Sequence, residues 1–504
     1  MKFIYSIICM VVMGSCWMGC SNDLTIDPSD QYSEDTFWKD ENEAMAALTG
    51  CYRVLQGGAG STWFLETDMI TPNGLAYNEA NGTDAIARGV HNDLTGLITS
   101  RWEVAYRGIG RANTFLDQIG EVPMDDDLKK RATGEAKFLR ALYYFYLVDV
   151  FGGVPLILSA PDPETQSDLP RNTKEEVVTQ MLQDLADAGE ALPPSYSSGS
   201  DQGRATKGAA LALRARVLLY NERWAEAAEE AKKVMDLDVY SLFNDYRGLF
   251  LLANEHNDEV IFNVEYQLPR FPNNFDHDIF ELNRPAPLKD LVDSYFMTDG
   301  LSIAESSQYD ADHPYENRDP RLLQTINCIG YFYNGKITQP DNVVTTGFGL
   351  KKYTSYTDTE AIPVITSNSS EINPILIRYA EVLLTYAEAR NEATGPDASV
   401  YDALNQVRER PSVNMPPVAA GLDQDGMREV IRHERRIELA FEGLYYSDIK
   451  RWHLAEVVNN GPVYNYKGAV VSRRTFDKDR DYLWPIPANQ RQVNPNLEQN
   501  PNWH

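Results

Sequence analysis

Residues 61–92 combine aromatic rings with short polar side chains and have no sustained helical or strand period. An aromatic ring can pack on the apolar C–H face of a sugar, while amide, carboxylate and guanidinium groups can satisfy its hydroxyls. The stretch supplies Trp63, Tyr77, Asn78, Asn81, Asp84 and Arg88. We therefore predict a ligand loop here. The alternative is that Trp63 is buried and pins the loop to the core, because tryptophan is usually largely buried.

A second group of aromatic residues lies between residues 260 and 372. We include Phe271, Phe275, Tyr331 and Tyr333 among the candidate ligand-binding residues. Tyr331 and Tyr333 alternate, so in a strand they share one face. That face is either a platform for the ligand or the core side of a small sheet.

Two clusters of acidic residues could do other chemistry. Four carboxylates, Asp310, Asp312, Glu316 and Asp319, could supply oxygens to a structural Ca²⁺, although the glycine-turned pattern of an EF-hand is missing. Residues 434–442 form a charge-dense helix face, which is typical of an internal ion-pair network or a solvated surface. We expect no other cofactor or metal.

Motifs of the common enzyme classes are missing from the sequence. The seven histidines include no His-Glu-x-x-His, and there is no Gly-x-Ser-x-Gly, paired-cysteine or dinucleotide-binding motif. We predict no catalytic residue and a protein that is not an enzyme. A glycoside hydrolase remains the alternative, because it needs only two carboxylates and the chain has 74 acidic residues.

The N-terminus is typical of a secreted lipoprotein. Residues 1–19 start with a charge and continue as a short apolar run, which predicts a signal peptide. Gly19 and Cys20 fit the cleavage site of a lipoprotein signal, so Cys20 is the predicted lipidated residue and Cys16 is the alternative. Residues 20–38 are then a tether to membrane lipid. Cys51 and Cys328 could pair, but the sequence does not show that they meet.

The charge balance restricts the partners. The chain has 46 basic and 74 acidic residues, a net charge of −28. Long-range repulsion of this size argues against nucleic acid and favours a neutral ligand over a polyanion, unless arginines cluster locally.

Helical periods occupy both ends of the chain and predict a mainly α-helical fold. Two alanine-rich segments, 204–220 and 224–235, form one helical hairpin like those of tetratricopeptide repeats, and 375–392 with 400–410 form a second. We divide the mature chain into helical residues 39–259, a loop-rich subdomain with short strands at 260–372, and helical residues 373–504. A scaffold that only binds other proteins would explain the hairpins, but not the aromatic middle region.

Several blocks together resemble the SusD/RagB family of outer-membrane proteins. They are GEAKFLRALYYF (134–145), FGGVPL (151–156), RATKGAALAL (204–213), RYAEVLL (378–384), ERRIELAFEG (434–443), LWPIP (483–487) and NPNW (500–503). Each block alone is weak, but their order and spacing match the family from Cys20 to the C-terminus.

The resemblance implies a nutrient-binding lipoprotein of the outer membrane that faces the cell exterior. It also implies four tetratricopeptide-like hairpins, an oligosaccharide ligand, and a SusC-like TonB-dependent transporter as partner. Some members bind peptides or other nutrients, so a non-glycan ligand stays open. Only Asp23 supplies an early acidic residue after Cys20, so the surface-export signal usual near such anchors is sparse.

Overall fold

The fold is mainly helical, and the computed structural model describes residues 37–58, 63–77, 81–196, 199 and 201–503. In chain order the α-helices of this part are α1 (Glu41–Gln56), α2 (Phe64–Met69), α3 (Thr83–Ala87), α4 (Gly96–Gln118), α5 (Asp126–Phe151), α6 (Pro163–Gln166), α7 (Lys174–Ala191), α8 (Lys207–Tyr220), α9 (Trp224–Met235), α10 (Lys289–Ser294), α11 (Arg321–Thr325), α12 (Tyr379–Thr394), α13 (Ala398–Arg408), α14 (Gln424–Glu438), α15 (Tyr445–Arg451), α16 (Ala455–Val458) and α17 (Ala488–Val493). The predicted fold class is confirmed.

Local signals in the sequence account for the bounds of the longer helices. The Asp40 carboxylate caps α1 by accepting from the Glu43 amide, and the helix ends at Gly57. Thr173 and Glu176 form a reciprocal capping box at the start of α7. Helix α5 is buried on nearly every side over its second half, because α4, α7 and α1 pack around it.

The long helices pack as successive antiparallel neighbours. Helix α5 packs on α4 and α7, α8 on α7 and α9, and α12 on α9, α13 and α14. Small residues permit this close approach: a Cβ at Gly108 of α4 would lie 2.4 Å from the Tyr143 ring of α5. Helix α8 packs on α9 and α12 packs on α13, so both predicted hairpins are confirmed.

In the described part of the chain, ten short strands pair two by two: β1 (Gly74–Ala76) with β3 (Pro285–Pro287), β2 (Val260–Asn263) with β8 (Ile375–Arg378), β4 (Ile326–Cys328) with β7 (Phe348–Leu350), β5 (Phe332–Tyr333) with β6 (Lys336–Ile337), and β9 (Gly461–Tyr464) with β10 (Val470–Arg474). All five pairs are antiparallel. Residues 375–378, predicted as the start of a helix, form β8 because β2 supplies a partner far away in the sequence.

The predicted loop at 61–92 has more structure than its composition suggests. Helix α2, strand β1 and helix α3 all lie within its described residues. Strand β1 pairs with β3, so this segment is fixed against the middle of the chain. The prediction of an irregular loop is wrong here. Pairing with a distant strand orders the segment, and no local periodicity in the sequence indicates that pairing.

Two main hydrophobic clusters hold the described residues together. The larger joins α1, α4, α5 and the hairpin helices, and the second joins α2, residues 246–372 and the end of α14. Cys51 lies in the first cluster and Cys328 in the second, and both are free thiols, so they do not pair. Within the described residues every helix is too short or too polar to cross a bilayer.

The charged face at residues 434–442 is internal. Glu438 accepts from three buried arginines: Arg378 Nη1 at 2.7 Å, Arg410 Nη2 at 2.8 Å and Arg321 Nη1 at 2.9 Å. Arg378 also binds Glu259 and Glu442. This buried ion network connects α14 with β8 and the middle region, as one of the two sequence interpretations predicted.

Candidate functional site

A concave surface forms where α2 and the end of α1 face residues 266–278. This main cleft has a volume of about 610 Å³, within the usual range for ligand sites. Helix α1 supplies Arg53 and Gln56, and helix α2 supplies one wall. The lining residues from α2 are Leu65, Glu66 and Met69, and strand β3 supplies Pro285. The other lining residues are Asn81, Tyr266, Arg270, Phe271, Pro272, Asn273, Asn274, Phe275, Asp278, Arg284 and Asn368.

Backbone contacts fix the wall formed by residues 266–278. Gln267 and Phe271 exchange hydrogen bonds across a tight turn, and Asn273 pairs with Ser370. The buried side chain of Asn273 donates to Ile372 O at 2.8 Å and accepts from the Phe275 amide at 3.1 Å. The wall is therefore held at both ends before any ligand arrives.

Phe271 is the half-buried aromatic ring of the main cleft. The guanidinium carbons of Arg53 and Arg270 lie over this ring at 5.1 Å and 5.3 Å from its centroid. The face of an aromatic ring attracts a cation, so contacts of this kind hold the guanidinium group and the ring together. Both arginines therefore support the orientation of the Phe271 ring in the main cleft.

Amide side chains supply polar groups around the same space. Asn81 donates to Glu66 Oε1 at 2.8 Å, which fixes both side chains. Asn274 accepts from the Asn368 amide at 2.6 Å through its Oδ1, so its orientation is set. Amides and carboxylates that are fixed beside an aromatic ring can satisfy the hydroxyls of a sugar and pack on its C–H face.

A second space, the side cleft, adjoins the main cleft. It has a volume of about 460 Å³ and shares Arg53, Gln56, Tyr266 and Phe271 with it. The two spaces therefore form one elongated groove around Phe271. This arrangement suits an extended chain molecule better than a compact one.

Carboxylates border the side cleft. Glu265 lines it, and Glu255 lies nearby; both accept from Asn373 Nδ2 at 3.0 Å. Burial raises the pKa of the Glu255 carboxyl to about 7 and also raises that of Glu265. This pair is therefore where the hydrolase alternative has to be tested.

Three predicted ligand-binding residues lie in the main cleft. Asn81 and Phe271 both line it, although 190 sequence positions separate them. Phe275 also lines the cleft, but its ring is almost fully buried against Phe64, Tyr266 and Tyr353. It forms the floor rather than a free platform.

Trp63 is not an exposed platform, and that expectation is corrected. Only 4% of the residue is exposed, and its ring packs against Tyr146 and under the Arg101 guanidinium. The alternative interpretation, a buried anchor, describes its position. The reason is geometric: Trp63 directly precedes α2, whose residues are all buried.

The pair Tyr331 and Tyr333 is also corrected. Tyr333 is buried and its hydroxyl lies 2.5 Å from Thr354 Oγ1, while Tyr331 packs at the edge of the second cluster. Phe332 between them is the exposed residue, at 56%. The shared face of the two tyrosines is thus the core side of the hairpin.

Other predicted residues lie outside the cleft. Tyr77 is exposed, and Arg88 forms an ion pair with Asp84 at 2.7 Å on α3. Asn78 and Cys20 lie outside the described residues. The sequence interpretation missed Arg53, Gln56, Arg270, Asn273, Asn274 and Asn368; the run of arginine, aromatic and amide residues at 270–275 was the available signal.

The four carboxylates proposed for Ca²⁺ do not come together. Asp319 is buried and binds Arg321, and Asp310 accepts from the exposed His313. Across the described ranges no group of three or more His, Cys, Asp or Glu side chains is arranged to hold a metal ion.

Comparison with protein-family models gives two matches that follow each other along the chain. The model described as "SusD family" matches residues 282–503. The model described as "Starch-binding associating with outer membrane" matches residues 27–219. The first match contains part of the middle region and the whole C-terminal helical part.

Individual proteins are similar over nearly their full length. SusD-like protein P2 of Formosa agariphila is 29% identical, with 98% of this chain and 98% of that protein covered. The starch-binding protein SusD of Bacteroides thetaiotaomicron is 25% identical, with 99% and 98% covered. The crystal structure of a SusD-like carbohydrate-binding protein from Bacteroides fragilis superposes with a TM-score of 0.84 at 30% identity, covering 92% of this chain and all of that one.

Proposed function

Because the chain belongs to the SusD family, we propose that it binds a glycan in the groove around Phe271 and delivers it to a TonB-dependent transporter. The observation that carries the proposal is the groove itself. It places an aromatic ring, fixed amides and arginines along one concave surface. These are the groups that sugar recognition needs.

Binding without cleavage is the form of activity that the groove supports best. Asp278, a carboxylate of the main cleft, forms an ion pair with Arg284 at 3.2 Å. The raised pKa values of Glu255 and Glu265 follow from burial, and Asn373 holds both groups. Because relatives of this chain are described as starch-binding and carbohydrate-binding proteins, we expect retention of oligosaccharides without new reducing ends. Turnover that Glu265→Gln abolishes would instead establish a hydrolase.

Delivery to a transporter and attachment at the outer membrane are further parts of the proposal. What supports them is family membership, including a family model described as associating with the outer membrane. The lipoprotein-like sequence around Cys20 supplies an anchor of the required kind. The groove would then present captured glycan beside the membrane, where a transporter can take it up.

Phe271→Ala is expected to weaken glycan binding by about 1–3 kcal/mol, roughly five- to 150-fold in Kd. The ring supplies the apolar surface of the main cleft, and its removal also frees the side chains of Arg53 and Arg270. Isothermal titration with oligosaccharides selected from a glycan array measures the change.

Phe332→Ala is the matched control. It removes the same side chain from an exposed position on β5, outside both clefts. Its Kd should stay within about twofold of the wild type. Equal affinities for wild type and Phe271→Ala would show that the glycan binds elsewhere.

A further inference from the structure

Two arginines at the groove lack the carboxylate partners that other arginines of the region have. Arg284 pairs with Asp278, and Arg204 pairs with Glu135. Arg53 and Arg270 are exposed and line the main cleft, and in the described part of the chain neither forms an ion pair or a side-chain hydrogen bond. Both guanidinium groups lie over the Phe271 ring.

These two charges lie close together. Since both guanidinium carbons are near the centroid of the same ring, they are at most roughly 10 Å apart, close to the Debye length of about 8–10 Å at 0.15–0.1 M salt. They therefore repel each other in the free protein. An anion bound between them would relieve this repulsion and meet N–H donors from both sides.

The local charge differs from that of the molecule. The chain has a net charge of −28, so unpaired arginines at a binding groove are not a by-product of an arginine-rich surface. Two carboxylates also line the main cleft. Asp278 faces Arg284, and Glu66 accepts from Asn81, so both have partners of their own. Glu265, which lines the side cleft, accepts from Asn263 and Asn373. The groove thus keeps two cations that its own acids do not neutralise.

We infer that the glycan bound in this groove carries an anionic substituent, a uronic acid carboxylate or a sulfate ester, that Arg53 and Arg270 hold beside Phe271. The inference rests on the proposed function and names its substrate class. It replaces the neutral ligand that net charge alone favoured. A planar guanidinium binds carboxylate and sulfate oxygens through paired N–H groups, so both substituents fit.

The test compares acidic oligosaccharides with neutral counterparts of the same backbone. Uronic acid oligosaccharides are tested beside their carboxyl-reduced forms, and sulfated oligosaccharides beside their desulfated forms, by array and then by titration. At least one acidic member should bind about tenfold or more tightly than its neutral counterpart, and this difference should shrink as NaCl rises from 0.05 to 0.5 M. The arm that shows the difference identifies the substituent.

Variants assign the difference to the two arginines. Arg53→Gln and Arg270→Gln should each weaken binding of the acidic member about fivefold, and the double variant should abolish its advantage. Arg107→Gln, which removes an exposed arginine that lies outside both clefts, should change nothing. Because Arg53 and Arg270 are exposed, their replacement leaves the core intact.

The outcomes separate this inference from the proposed function. Equal binding of acidic and neutral members, or an acidic preference that survives in the double variant, overturns the inference and leaves glycan binding standing. Binding of no member of either series overturns the proposed function as well.

Discussion

Glu438→Ala is expected to lower the free energy of unfolding by about 3–5 kcal/mol, because it removes the central anion of the buried ion network. Arg378, Arg410 and Arg321 all donate to this carboxylate, and all four side chains are fully buried. The arginines cannot reach water, so each keeps an incompletely compensated charge in the core. Urea unfolding followed by circular dichroism measures the loss.

The control for this prediction is Glu429→Ala on the same helix. Glu429 is 77% exposed and lies 3.8 Å from Arg432, so its replacement should change stability by less than about 0.5 kcal/mol. Similar losses for both variants would show that the network is not a main source of stability.

The network also predicts how stability changes in acid. Arg410, Arg378 and Arg321 hold the pKa of the Glu438 carboxyl well below its usual range, despite the opposing effect of burial. A carboxyl with a lowered folded pKa stabilises the fold above its unfolded value of about 4.3, and that contribution is lost as pH falls through the folded value. The stability difference between wild type and Glu438→Ala should therefore shrink below about pH 4. A constant difference down to pH 2 would contradict this.

Trp63→Ala is expected to cost about 3–5 kcal/mol of stability while leaving the Kd for glycan within about twofold. The ring is buried against Tyr146 and covers the Arg101 guanidinium, whose Nε has no hydrogen-bond partner among the residues that the structure describes. Its removal opens a cavity beside a buried charge. Thermal unfolding and titration on the same preparation measure the two quantities.

Trp503→Ala provides the comparison. This tryptophan is half-buried near the C-terminus, where its ring lies over Arg480 and His91. Less buried apolar surface is lost than at Trp63, so we expect the free energy of unfolding to fall by about 1–2 kcal/mol. If Trp63→Ala weakened binding tenfold without loss of stability, the ring would be a ligand platform and the site would lie elsewhere.

Helix positions could be predicted where the apolar period is long. Helices α8 and α9 begin and end within a few residues of the predicted segments 204–220 and 224–235. Helix α5 begins at Asp126, well before its nearly continuous run of buried residues from Gly134, because its first turns are polar and carry no apolar period. The Asp125 cap and the acidic first turn were the signals that mark this start.

Short elements could not be predicted because distant partners determine them. The apolar residues of β8 continue directly into α12, and only pairing with β2, more than a hundred residues earlier, makes them a strand. Helix α2 has six residues, too few to show a helical period. Helix α2 lines the main cleft, so this wall of the groove was among the least predictable parts of the fold.

The chemistry of the candidate site could be predicted from residue types, but only some of the residues that line it could. Residue types identified two aromatic and amide-rich segments, and the structure brings parts of both to one cleft through Asn81 and Phe271. The residue types do not show which way a side chain points. Trp63 and Tyr333 are aromatic residues of the expected kind, but both are buried in the core. Arg53 was not predicted, because it lies at the end of a helix whose apolar pattern indicates a structural role.

A crystal structure of the mature protein with a bound oligosaccharide tests the central claim most directly. We expect a sugar ring within about 4 Å of the Phe271 ring, with hydroxyls on Asn81 or Asn274 and the glycan extending along the groove. A glycan bound at another surface, such as the exposed hairpin carrying Phe332 and Ile337, with the groove empty, would contradict the proposal.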